Sequence, residues 1–121
     1  MAEIFELNGT DHVRSAFPDF YEELKKDGFI QNYHQLFTYA FLIGLLDGNK
    51  STTPKTKDIF QVANINSDNL KVIKGIALMK LDVNNGDELL KEMMDYADWG
   101  VHLIRKEYEN DKTIRLDKYI D

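Results

Sequence analysis

With 121 residues the chain has room for a single domain, taken as residues 1–121, and for one core that hides roughly 65–70% of the surface exposed when unfolded. Hydrophobic residues at 43% and charged residues at 30% fit an ordinary globular protein and exclude disordered and fibrous classes. The absence of cysteine removes disulfides, thiolate nucleophiles, Cys-ligated zinc and iron–sulfur clusters together, and the net charge of −6 disfavours non-specific attraction to nucleic acid or anionic membrane.

In chain order, the first segment carries Ile4-Phe5-Glu6-Leu7, a short apolar piece that suits a strand or a hydrophobic tether. No basic stretch followed by an apolar run precedes it, so no secretory leader is expected. Residues 1–16 are expected to be loosely ordered. Pro18 suits a first helical turn, where its missing N–H would have no partner. Phe20, Tyr21 and Leu24 then recur at helical spacing up to Lys26, and Asp27-Gly28 reads as a left-handed stop.

Asn32 with Gln35 three residues later has the form of a capping box and opens the strongest helix. Its apolar residues, Tyr33, Leu36, Phe37, Ala40, Phe41, Ile43 and Leu45, point in almost every direction, which predicts a helix enclosed on all sides. Aromatic residues there, Tyr39 included, are read as core. Gly44 inside such a helix predicts that another helix crosses close by. The near-continuous apolar stretch Leu36–Leu46 is too short to span a bilayer, and a soluble, cytoplasmic protein with no membrane partner is expected.

Lys50–Lys57 is a polar loop, and Ile59, Phe60, Val62 and Ile65 suggest one or two helical turns. Ser67 caps the next predicted helix, carried by Leu70, Ile73, Ile76, Ala77 and Leu81. Asn85 and Glu88 form a second capping box ahead of a long helix from about Asp87 to about Asn110, with the stripe Leu90, Met93, Ala97, Val101, Ile104 and Tyr108. The tail, 111–121, is left loosely ordered. The resulting fold class is all-α: a compact bundle of four to five helices with a long C-terminal helix.

Three constellations invite chemistry. Asp95, Asp98 and His102 fall at i, i+3 and i+7 on one helical face, the pattern by which bundles hold a divalent metal. Glu88, Lys91, Glu92, Arg105 and Lys106 line the same face, so a solvated surface is the preferred reading, with no metal and no cofactor assigned. His12 and His34 are the other histidines, and nothing in the sequence places a partner within reach of either for acid–base work. Residues 47–74 carry five lysines against three aspartates, a local excess of +2. Lys50, Lys55 and Lys57, interleaved with Ser51, Thr52, Thr53 and Thr56, offer charge and hydroxyls to phosphates. A nucleotide-hydrolysing loop is rejected, because neither a lead-in strand nor the second glycine before Lys50 is present.

Tyr96, Trp99 and Leu103 lie off the main stripe of the last helix and give it a second apolar face. A long helix with two such faces in a small domain implies a partner, either another protein or a second copy.

Phe37 to Lys50 ends in the pattern Ala40-x3-Gly44-x3-Gly48-x-Lys50. Asp58-Ile59-Phe60, the aliphatic run Ile73–Leu81 and Tyr96-Ala-Asp-Trp-Gly-Val-His-Leu103 follow in order. Over residues 29–106 this resembles a family of small bacterial proteins associated with DNA phosphorothioation (Dnd-type) defence systems. Lys50 stands where that family tends to have arginine, and Asp98-Trp99 replaces a small polar pair before Gly100. The resemblance implies an accessory role in a phage-defence or mobile-element setting, without a known enzymatic activity. The leading expectation is therefore a non-enzymatic interaction module, and the alternative is nucleic-acid contact through the Lys50–Lys57 loop.

Overall fold

A computed structural model describes residues 12–61 and 71–111. The chain order is β1 (His12–Ser15), α1 (Pro18–Lys26), α2 (Tyr33–Asp47), β2 (Lys57–Gln61), α3 (Lys71–Lys80) and α4 (Gly86–Asp111). The molecule is mostly helical with a long α4, as expected, but it is not purely all-α. β1 and β2 form a two-stranded antiparallel sheet. His12 lies opposite Gln61 and Ser15 opposite Lys57, with Ile59 as the extra residue of an irregularity between Val13 and Arg14. Ile59 and Phe60 therefore lie in a strand and not in helical turns. His12–Ser15 is held in the sheet, with Val13 and Ser15 buried and His12 and Arg14 outward. The Ile4–Leu7 piece, Val62, Ile65, the Ser67 cap and the tail from 112 onward lie outside the described residues.

Local chemistry sets the helix ends. Pro18 opens α1, and Gly28 beyond its end has φ +84°, a backbone that glycine adopts without Cβ strain. At the start of α2 the Asn32 side chain accepts from the Gln35 N–H at 3.2 Å, and Gln35 Oε1 accepts from the N–H groups of Asn32 and Gln31. Gly48, at φ +80°, ends α2 with its N–H on the carbonyls of Gly44 and Leu45. At α4 the Asn85 side chain accepts from the Glu88 N–H, but Glu88 returns to the N–H of Asn84, one residue earlier than a capping box requires.

The most extensive helix pair is α2 with α4. Its crossing depends on glycine. A Cβ at Gly44 would be driven into the Tyr96 carbonyl, and one at Gly100 into the Ala40 carbonyl. Ala40 and Gly44 of α2 thus face Tyr96 and Gly100 of α4 backbone to backbone, which explains why α2 tolerates glycine in its interior. Around this contact Phe37, Phe41, Leu36, Leu89, Met93, Val101 and Ile104 fill the core, and Val13, Tyr21 and Leu24 close one side of it. No described helix is long and apolar enough to cross a membrane.

Candidate functional site

One wall of α2 is not covered by any of the described residues. Tyr39, Leu42, Ile43 and Leu46 stand at i, i+3, i+4 and i+7, a continuous apolar ridge along two turns. Ile43 is buried, yet Tyr39 is 48% and Leu46 65% exposed. Opposite the ridge, α3 contributes Ile76 and Lys80, and Tyr96 of α4 lines the same space. Together with Leu45 these residues enclose a trough of about 710 Å³. α3 docks on the body through buried Ile73 and Ala77, while Met79, outside the trough, is 84% exposed. Among the described residues, the helix expected to be enclosed on every side is therefore open on one, and Tyr39, 48% exposed, is not part of their core.

Of the predicted interface residues, the trough contains Tyr96, whose ring packs edge-on to Phe41 at 6.5 Å. Trp99 turns the other way: its indole N–H donates to Asp47 Oδ2 at 2.7 Å at the end of α2, and its ring lies against His102. Hydrogen bonds from Asn49 and Trp99 hold the Asp47 carboxyl below its ordinary range. Leu103 is half-buried against the core.

Asp95, Asp98 and His102, the constellation weighed for a metal and not assigned one, are not assembled as a ligand set. Asp98 is buried, 1% exposed, and accepts from Ser15 Oγ at 2.7 Å, the Ala16 N–H at 3.0 Å and Lys55 Nζ at 2.8 Å. Lys55 also reaches Asp95 at 2.9 Å, and Lys91 adds a second cation there at 3.0 Å. His102 instead stacks on Trp99. Among the described residues no group of three His, Cys, Asp or Glu side chains is placed to hold a metal ion. The face read as solvated is in fact covered at Asp95 and Asp98 by β1 and by the loop ahead of β2, which is further pinned by Ser51 N–H on the Asp95 carbonyl.

The same geometry accounts for the loop lysines. Lys50 bonds Glu92 at 2.9 Å, a contact that, against a small burial penalty, holds its ammonium above the ordinary range. Lys57 meets Glu22 at 3.2 Å. Lys55 is the buried member. Of the remaining histidines, His12 faces Asp58 at 3.8 Å and His34 packs on Phe60.

Two phenols and Lys55 share one pH response. Burial, with the Asp98 charge adding to it, pushes the Tyr21 hydroxyl well above its ordinary value. Tyr108, whose hydroxyl donates to Asp27 Oδ2 at 2.7 Å, is pushed up to about 12 by that bond first, then by burial and the Asp27 charge. For Lys55 desolvation acts downward, but the bonds and charges of Asp98 and Asp95 outweigh it and leave the ammonium raised. Each group binds its proton more tightly folded than unfolded. Their stabilisation is complete below the unfolded values of 10.0 and 10.5 and fades as pH climbs through the folded ones. An alkaline titration should show phenolate absorbance from these two tyrosines only above pH 10, together with loss of circular dichroism. Normal titration of both in a folded protein would contradict the arrangement.

No family model matches the chain, and no curated protein or solved structure is significantly similar to it. The residues that carry the Dnd-type resemblance have structural duties here: Ala40, Gly44 and Gly100 make the helix crossing, and Gly48 ends α2.

Proposed function

We propose that this chain is a non-enzymatic interaction module that docks a partner protein in the trough between α2, α3 and α4. The observation that carries the reading is the ridge Tyr39–Leu46, apolar, half to two-thirds exposed at its ends and not covered by any described residue. Exposed apolar surface of this continuity marks contact sites on soluble proteins. An accessory place in a phage-defence or mobile-element setting follows from the resemblance over residues 29–106. Phosphate contact through Lys50, Lys55 and Lys57 is the less favoured reading, because each ammonium already faces a carboxylate within 3.2 Å.

Leu46→Glu is the test. At a position 65% exposed the substitution should leave the fold within about 0.5 kcal/mol of the parent. It should nevertheless abolish binding of a hydrophobic dye and strip a stoichiometric partner that co-purifies with the wild type. A protein that binds neither dye nor partner, with or without the substitution, would end the proposal.

A further inference from the structure

Lys80 is the one charged residue among the described residues lining the trough, and no carboxylate is among them. Several described cations elsewhere in this acidic molecule find acids, Arg14 with Asp58, Lys50 with Glu92, Lys57 with Glu22 and Lys91 with Asp95, but none of these lines the trough. Lys80 faces no carboxylate among the described residues, although Asp82 lies only two positions on. α3 contains no acid at all within Lys71–Lys80. On a chain whose net charge is −6, an occupant with a negative flank would therefore meet a lysine and no described carboxylate in the trough.

The shape of the site selects the kind of occupant. Small-molecule pockets bury 70–90% of their ligand, whereas the end residues of this ridge, Tyr39 and Leu46, are themselves half to two-thirds exposed. The ridge has the i, i+3, i+4, i+7 spacing that a helix presents to another helix, and its facing wall is a second helix, α3, with Lys80 at the rim. What fits is one more helix. We infer that the trough receives an amphipathic helix of a partner protein, its apolar stripe on Tyr39, Leu42 and Leu46 and a flanking carboxylate on Lys80. This rests on the interaction reading above and names the chemistry of the partner.

Two labelled helical peptides with the same leucine stripe, one flanked by glutamates and the other by lysines, separate the possibilities by fluorescence anisotropy against the full chain. The acidic-flank peptide should bind roughly tenfold tighter than the basic one. Lys80→Gln should erase that preference and Lys80→Glu should invert it, while Leu46→Glu should weaken both peptides. Circular dichroism of each variant reports its fold. Equal affinities that Leu46→Glu still abolishes would overturn the charge assignment and leave the interaction reading intact. Absence of peptide binding, with dye binding unaffected by Leu46→Glu, would overturn both. Displacement of the dye by lauric acid but by neither peptide would make the occupant a small amphiphile, and a dimer dissolved by Leu46→Glu would make it a second copy. Either result overturns the inference.

Discussion

Replacing Gly100 with alanine should destabilise the protein by about 3 kcal/mol, the upper end of overpacking effects, because the new methyl group meets backbone on the facing helix and not a flexible side chain. The Ala40 carbonyl cannot rotate away without disturbing α2, so the two helices must separate, and their contact is the largest in the fold. Gly44→Ala should behave alike, for the reciprocal reason at the Tyr96 carbonyl. For a chain of this length the melting temperature should fall by roughly 10–15 °C. Gly75→Ala is the control. It lies in α3 with open space around the added atom, so it should stabilise by about 0.5–1 kcal/mol through helix propensity alone. Denaturant melts of the three variants decide the matter. Equal, small effects at Gly100 and Gly75 would mean that the close crossing is absent.

The second large effect is expected at Lys55. Lys55→Met should remove about 3 kcal/mol, the low end for a broken buried ion pair, since Lys55 keeps 15% exposure and Asp95 retains Lys91. Most of the loss comes from Asp98, left inside with only the Ser15 hydroxyl and the Ala16 N–H. Lys50→Gln and Lys57→Gln break exposed pairs and should each change stability by less than about 1 kcal/mol. Adding Asp98→Asn to Lys55→Met should recover part of the loss, because the isolated charge is gone. Three lysine variants with the same small effect in urea melts would show that Lys55 is an ordinary surface residue.

What was legible in the sequence was local. The Asn32–Gln35 box, Gly48 and the stripe of α4 are each specified within a few residues, and the ends of α1, α2 and α4 fall close to where those signals put them. Gly44 also announced its crossing, since a glycine inside an apolar helix otherwise lacks a reason. The strands were not legible. His12–Ser15 has one apolar residue in four, and it pairs with a segment more than 40 residues away across an irregular register. The trough was hidden by the helix that forms it, because an apolar-all-round pattern says that a surface wants covering and not whether this chain covers it. Asp98 misled in the opposite sense. The helical face it shares with Glu92 and Lys91 is polar, and only the arrival of β1 and the Lys55 loop makes it interior.

That arrival has a temporal side. Ser15 and Asp98, joined at 2.7 Å, are separated by 83 residues of chain. On a ribosome the first strand emerges long before the carboxylate that anchors it, so its shell of donors is completed only after most of α4 has been made. Long-range contacts of this kind form late. β1 can pair with β2 early, but it waits for α4 before its Ser15 hydroxyl finds Asp98.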